Sequence, residues 1–559
     1  MTDENLNSAV GRAFGEELAR LGVRLAVVSP GSRSTPLALA LDRNPEIAVE
    51  VVLDERSAAF FALGAARASG LPVVLVCTSG SAAANYLPAI VEADLSAVPL
   101  IVLTSDRPPE LRGIGSGQAI DQLKLYGDAV RWFADAGTPR GDDDGLLYVR
   151  QLACRAYAAA AGDPRPGPAH LNFPFREPLA PRPGGEPVTA TGPLALSGRN
   201  DGPLTAVYEP VREPGADALR KVAESFEGSL RPLIVAGRLH DSRYRDLIVA
   251  LSERLGAPIL AEPTSQLRWG PHRRDSVVWA YDSILRDDAG SVEPPDAIVR
   301  VGETPTSARL RAWLAGLEGT EQILLRPEGD WYEPSRIAGT ILRADLGPTL
   351  EALATGLEGS GSTAYLDLWL ELQAKSEPTG PAALLHRAVA ASAGDGTIIY
   401  TASSLAIREQ EAFLPTGPTD LLFLANRGAN GIDGLVGSAA GASVGSGREV
   451  ILVTGDLGLI HDMSSLPLTA RPGATVKIVV VNDGGGRIFE TLPAAEVLSA
   501  DELDRLMVAP SEVSLEGLAG AAGLAWRPAD DLASLESALG ERAPLMVEFA
   551  LDRGRSVGQ

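Results

Sequence analysis

The sequence predicts an α/β protein of three doubly wound parallel-sheet domains, and three observations carry that prediction. Short continuous apolar runs recur at Leu25 to Val28, Val73 to Val76, Leu100 to Leu103, Leu233 to Ala236, Ile398 to Tyr400, Val450 to Val453 and Ile478 to Val481. Most are followed by Gly, Ser, Asp or Asn and then by an Ala/Leu-rich stretch of helical character. Strands without apolar/polar alternation are buried on both faces, as parallel strands covered by crossover helices are. Two punctuation zones then divide the 559 residues. From Glu177 to Gly215, Pro and Gly are dense and no periodic pattern survives, which reads as a linker. From Gly356 to Pro381, glycine-rich flanks enclose a Leu-rich helix, Leu366 to Leu372. The predicted domains are 1–185, 205–355 and 380–559, each of ordinary domain size.

Composition narrows the function. Hydrophobic residues make up 45% and charged residues 22%, a globular balance. Against 49 basic residues stand 72 acidic ones, a net charge of −23. That argues against a general nucleic-acid binder, because phosphate contacts depend on Lys and Arg. Two cysteines, Cys77 and Cys154, are too few for a disulfide framework, so a reducing, cytoplasmic setting is expected. The N-terminal Met-Thr-Asp-Glu-Asn lacks a basic n-region and an apolar h-region, so no secretion signal is expected. No apolar run approaches the roughly 20 residues that span a bilayer, and no membrane insertion is expected.

Several chemistries have no motif here. No Gly-Lys-Ser/Thr closes a glycine-rich turn. The histidines His170, His240, His272, His386 and His461 form no i,i+4 pair, and Cys-x-x-Cys is absent, which argues against zinc. General acid–base work is left to carboxylates or to a cofactor.

In the third domain, Val450-Ile-Leu-Val-Thr-Gly-Asp456 reads as a buried strand ending in Gly-Asp, and Lys477-Ile-Val-Val-Val-Asn482-Asp-Gly484 as another ending in Asn-Asp-Gly. Ligands of doubly wound sheets sit at the carboxyl ends of the strands. If the two strands are neighbours, the Asp456 carboxylate, the Asn482 amide oxygen and a glycine carbonyl converge there as hard oxygen ligands suited to Mg²⁺ or Mn²⁺. Either residue alone is better explained as a turn or a helix cap. The pair, 26 residues apart, resembles the diphosphate–metal motif of thiamine-diphosphate enzymes. Those enzymes also need an acid beside N1′ of the cofactor's pyrimidine ring, so that the 4′-amino group can deprotonate thiazolium C2. Glu55 is the candidate, because Ala48 to Gly64 reads as strand, turn and apolar helix with Glu55 at the helix start. The helix dipole alone also places acids in first turns.

Further segments then resemble one family. They are Ser29-Pro-Gly-Ser32-Arg33, Asp54-Glu55-Arg56, Thr78-Ser-Gly-Ser-Ala-Ala-Ala-Asn85, Leu103-Thr-Ser-Asp106-Arg-Pro-Pro, Gln118-Ala-Ile-Asp-Gln122 and Pro168-Ala-His-Leu-Asn-Phe-Pro-Phe. Ser404-Leu-Ala-Ile-Arg408 and Asn426-Arg427-Gly-Ala-Asn-Gly-Ile-Asp433 add to them. Together with the Gly-Asp-Leu and Asn-Asp-Gly elements, these are similar to the signatures of the MenD family, the 2-succinyl-5-enolpyruvyl-6-hydroxy-3-cyclohexene-1-carboxylate synthases of menaquinone biosynthesis. The resemblance covers the first and third domains in order and is weak across the middle.

The resemblance implies domains of the thiamine-diphosphate-binding type, the first holding the pyrimidine and the third the diphosphate and metal. It implies decarboxylation of 2-oxoglutarate and 1,4-addition of the succinyl-semialdehyde carbanion to isochorismate. Glu55, Ser32, Arg33 and Gln118 are the implied catalytic residues. Arg33, Ser404, Arg408 and Arg427 are implied to bind substrate. Both substrates are dianions, so an acidic protein needs a local cationic pocket, and Arg reads carboxylates in bidentate fashion. Asp456, Asn482 and Gly484 are implied to hold the metal, with Asp483 open as the alternative side-chain ligand. Ile488 and Phe489 match positions that pack around cofactor or substrate, though core packing explains them nearly as well. The family also implies a homo-oligomer, a dimer or dimer of dimers, with the cofactor between the first domain of one subunit and the third of another. Two departures stand out. Ser81 replaces a commoner Thr, and Ala308 beside Arg309 replaces a Lys found in some relatives, which puts a middle-domain substrate contact in doubt. The alternative enzyme is another thiamine-diphosphate 2-oxo acid decarboxylase or carboligase. A non-catalytic binding or assembly module is a further reading, opposed by intact Glu55, Asp456 and Asn482.

Overall fold

The computed structural model describes residues 5–182, 185–357, 361–376 and 380–551. They form three six-stranded sheets in which every strand pairing is parallel. Two compact units contain them. The first lies within Met1–Glu209, Asn426–Arg448 and His461–Thr475, and the second within Pro210–Ala425, Glu449–Ile460 and Val476–Gln559.

In the first unit the sheet runs Ala48–Val51, Leu25–Val28, Val73–Cys77, Leu100–Asp106, Pro168–Pro174, Trp132–Asp135 across its width. The central strands are apolar and buried throughout, as double coverage demands. One face packs on helices Leu6–Arg20 and Asp143–Ala161, and the other on Glu55–Ser69. Helix Leu435–Ser446 lies against Glu55–Ser69 at backbone contact distance. A Cβ on Gly64 would meet Ser438 O at 1.9 Å, and one on Gly441 would meet Phe61 O at 1.9 Å. Only glycine permits that approach.

The segment read as a patternless linker is built into this unit as far as Glu209. Helix Pro193–Ser197 forms within it, and Leu179 and Ala195 are buried in the first core. Arg150, paired with Glu16 and Glu17, donates to Ala195 O at 2.9 Å. Its few apolar residues plug gaps between helices as single contacts and one five-residue helix, which is too short to show a period.

The second unit holds two sheets. The central one runs Thr340–Leu342, Glu321–Leu325, Ala297–Val301, Pro232–Ala236, Ile259–Ala261, Val277–Val278. In chain order this is the 3-2-1-4-5-6 arrangement of dinucleotide-binding folds, read from the other edge. The Leu-rich stretch of the second punctuation zone is helix Ala364–Lys375, whose Tyr365, Trp369 and Leu372 pack into the central core with Leu233, Leu260 and Ile298. The last sheet runs Leu422–Leu424, Ile398–Thr401, Val450–Gly455, Val476–Asn482, Leu545–Ala550, Ala525–Ala529. Its order of strands, 2-1-3-4-6-5, is that of the first sheet. Among the described residues no helix is long and apolar enough to cross a membrane.

Candidate active site

In the first sheet the strand order reverses between Leu25–Val28 and Val73–Cys77, and the loops there carry most of the first-domain candidates. Gly31 packs on Thr78, whose Cβ a methyl group would meet at 2.3 Å, so the Ser29–Arg33 turn is held close. Ser32 is exposed on it. Arg33 donates to Phe175 O at 2.9 Å and lies 3.4 Å from Glu177, while its Nε is buried without a partner. Burial, then the charge of Arg107, holds its pKa below the ordinary guanidinium value. A desolvated, incompletely bonded guanidinium is suited to an arriving anion. Gln118, exposed and at φ +55, donates to Ser79 O at 3.0 Å and accepts from the Ser79 hydroxyl at 2.8 Å. Arg107 donates to the Ser79 hydroxyl at 2.8 Å and to Gly117 O at 2.9 Å. Arg107 thus lies beside Arg33 and joins the Gln118 loop to it.

Glu55 opens helix Glu55–Ser69, but the capping is done by Asp54, which accepts from Ser57 N. The Glu55 carboxylate is half-buried and accepts a long bond, 3.4 Å, from Asn85. Arg427 lies on a turn fixed from below. Glu92 accepts the backbone N–H of Gly428 at 3.0 Å and of Ala429 at 2.7 Å, and pairs with Arg67, which donates to Asn426 at 2.6 Å.

In the second unit the last sheet reverses between Ile398–Thr401 and Val450–Gly455. Ser404 follows the first of these strands at φ +76 and starts helix Leu405–Phe413. Arg408 donates back to Ser404 O at 2.6 Å, and its pKa is lowered by partial desolvation and then by the charge of nearby Arg311. Asp456 follows the second strand. Gly455 pairs with Val481, so Asp456 and Asn482 lie at the ends of adjacent strands, the condition on which their convergence depended.

The Asp456 carboxylate is buried and accepts from Leu457 N at 2.8 Å. Burial raises its pKa, against the N–H groups of Leu457 and Gly485 and the charge of Arg487. Asp483, also buried, is pushed up to about 7 by burial and then by Asp456. Asn482 points its amide nitrogen at Glu548, 2.8 Å away, and its oxygen accepts from Gly484 N at 3.3 Å. Gly484 and Gly485 turn the chain at φ +77 and +128, and Arg487 donates to the carbonyls of Asp483 and Gly484. Ile488 and Phe489 follow, half-buried, on the short helix Arg487–Thr491.

Two buried carboxylates that repel one another, an amide and a glycine-rich turn form a hard-oxygen donor set that fits a divalent cation. Among the described residues no three His, Cys, Asp or Glu side chains group to hold a metal. An ion here would therefore complete its shell with carbonyl, phosphate and water oxygens, as Mg²⁺ commonly does.

Sequence reasoning missed the residues behind the site. Glu92 is the buried one of two acids on the apolar helix Leu87–Leu95. Asp462 accepts from Val436 and Gly437 and so caps Leu435–Ser446. Glu409, pushed up to about 7 by burial and then by Asp483, sits 3.9 Å from buried His386. For Glu92 the available signal was an acid flanked by Val91 and Ala93, whereas Glu409 and Asp462 each have a polar neighbour and gave none.

Comparison with known proteins adds the following. Residues 9–125 match the family described as thiamine pyrophosphate enzyme, N-terminal TPP binding domain. Over 514 residues the chain is 41% identical to a protein of Halobacterium salinarum named 2-succinyl-5-enolpyruvyl-6-hydroxy-3-cyclohexene-1-carboxylate synthase, covering 88% of this chain and 86% of that one. A protein of the same name from Myxococcus xanthus is 38% identical over 100% of this chain and 97% of its own length. A third, from Bacillus velezensis, is 39% identical over 86% of this chain and 84% of its own.

Proposed function

The chain belongs to the 2-succinyl-5-enolpyruvyl-6-hydroxy-3-cyclohexene-1-carboxylate synthase family, and from that premise we propose that it decarboxylates 2-oxoglutarate and joins the resulting four-carbon unit to isochorismate. The observation that carries the proposal is the end-to-end similarity to proteins of that name, with both signature-bearing sheets intact.

Thiamine diphosphate, when bound, supplies the carbanion-stabilising chemistry that side chains lack. Glu55 would hold and return a proton at pyrimidine N1′, a role supported by its release from capping duty. Asp456 and the Gly484 carbonyl, with Asn482 or Asp483, would hold Mg²⁺ or Mn²⁺ against the diphosphate. The charge facing Asp456 supports Asp483, and the strand-end register supports Asn482. Ile488 and Phe489 would pack against the cofactor. Arg33, Arg408 and Arg427 would orient the substrate carboxylates, with Ser32, Gln118 and Ser404 as neutral partners.

The working form is a homodimer or a dimer of dimers. Leu53, 83% exposed two residues before Glu55, and exposed Val51 and Ile114 support a surface for self-association. The cytoplasm is its setting, supported by two buried, unpaired cysteines. The test is CO₂ release with thiamine diphosphate and Mg²⁺. Release from 2-oxoglutarate and not from pyruvate is the expected result, and preference for pyruvate would reassign the chain to another 2-oxo acid carboligase.

A further inference from the structure

The proposed reaction gives the central sheet no task, and that sheet's own crevice is filled by backbone. At the carboxyl ends of Pro232–Ala236 and Ala297–Val301, a Cβ on Gly237 would meet Glu303 O at 1.7 Å. The loop after Ile259–Ala261 instead grips the segment around helix Leu405–Phe413. Gln266, at φ +65, accepts from Phe423 N at 3.0 Å and donates to Phe423 O at 2.9 Å. Fully buried Arg268 donates to Ala261 O at 2.6 Å and to Leu414 O at 2.7 Å. Trp269 donates to Pro415 O at 2.8 Å, and Gly417 N donates to Arg268 O at 3.0 Å. From helix Tyr281–Asp287, the Tyr281 hydroxyl donates to Glu411 Oε1 at 2.6 Å, with the Arg268 guanidinium 5.6 Å above the Tyr281 ring.

We propose that the central sheet positions the substrate-reading end of helix Leu405–Phe413, and that Tyr281 and Glu411 are the positioning pair through which it acts. The inference rests on the proposed function, since Arg408 is assigned there to substrate. Arg408 lies three residues before Glu411 and shares its helix face, so a fixed Glu411 sets where that guanidinium points. Glu411 is faced by Tyr281 and Asp282 from one helix, by Glu262 and Arg268 from the gripping loop, and by Arg408 from its own helix. Glu262 is itself held by Thr306 N at 2.9 Å and by the Thr264 hydroxyl. Burial, then the charge of Glu262, raises the pKa of Glu411 and so favours its protonated form. Ionisation at higher pH sets a second charge beside Glu262, and that repulsion works against the fixed position of Glu411.

The experiment uses the full-length holoenzyme and compares Tyr281→Phe and Glu411→Gln with the unaltered chain. Tyr281→Phe is expected to raise KM for 2-oxoglutarate or isochorismate about three- to tenfold, the usual weight of one lost hydrogen bond. Its kcat should stay within about twofold, since the pair makes no contact with the reacting atoms and binding alone is weakened. Affinity for thiamine diphosphate should not change. In the unaltered enzyme KM should rise with increasing pH, and Glu411→Gln, a permanently neutral mimic, should flatten that rise. A Tyr281→Phe variant that melts earlier with KM unchanged, or a Glu411→Gln variant that keeps the pH-dependent rise, would overturn the positioning role alone. No turnover by the unaltered enzyme would remove the proposed function and this inference with it.

Discussion

Arg67 and Glu92 meet 3.0 Å apart with each side chain only 3% exposed, and the same carboxylate holds the backbone N–H groups of Gly428 and Ala429. One buried ion pair therefore anchors the turn that presents Arg427. Breaking such a pair on one side leaves an uncompensated buried charge, at a cost of about 3–5 kcal/mol. Glu92→Ala is expected to lose that much stability in urea unfolding. The double variant with Arg67→Ala should lose less than the sum of the two single losses, because the stranded charge is gone.

Glu55→Gln keeps the shape and the bond from Asn85 but cannot exchange a proton. Turnover should fall by about 10²- to 10⁴-fold, the weight of a positioned acid–base group, with an unchanged melting temperature. Near-normal kcat in a folded variant would take Glu55 out of the chemistry.

The metal assignment separates by substitution. Asp456→Ala should abolish Mg²⁺-dependent binding of thiamine diphosphate in calorimetry, and chelation of the unaltered protein should do the same. Between Asn482→Ala and Asp483→Ala, the variant with the larger loss of cofactor affinity identifies the side-chain ligand. Equal retention in both would leave the ion to Asp456 and backbone alone, contrary to the proposal.

His170 predicts a pH dependence of stability away from the active site. It is fully buried, shares a 2.7 Å bond with Thr104, and packs on the rings of Tyr126 and Phe133. Burial lowers its pKa from 6.5 to about 3. The folded state keeps the ring neutral while the unfolded chain takes a proton below 6.5, so its contribution is full above that pH. Stability is then lost as pH falls toward 3, by up to about 1.4 kcal/mol per pH unit. Unfolding free energies at pH 7 and pH 5 should differ less in His170→Gln than in the unaltered protein.

The sheets were legible because burial on both faces writes itself into sequence as unbroken apolar runs. Val73 to Val76, Val450 to Val453 and Ile478 to Val481 all lie in strands. The strand-end acids were legible for the same reason, since Gly-Asp and Asn-Asp after such runs can only fall at the carboxyl edge. The short central strands, interrupted by Arg300 and Gln322, gave a weaker pattern for a sheet of equal size. Contacts between segments far apart in the chain left no local trace. Gln266 bonding Phe423, Glu92 bonding Gly428 and helix Leu435–Ser446 packing on Glu55–Ser69 are of this kind. Each depends on where the chain returns, and a single sequence does not encode that as a period.

The central claim is the joining of two dianions, and mass spectrometry of the product tests it most directly. The purified protein, incubated with 2-oxoglutarate, isochorismate, thiamine diphosphate and Mg²⁺, should yield one compound with the mass of both substrates less CO₂. It should be absent when any component is omitted. Unchanged substrates, or succinic semialdehyde with isochorismate left intact, would contradict the account.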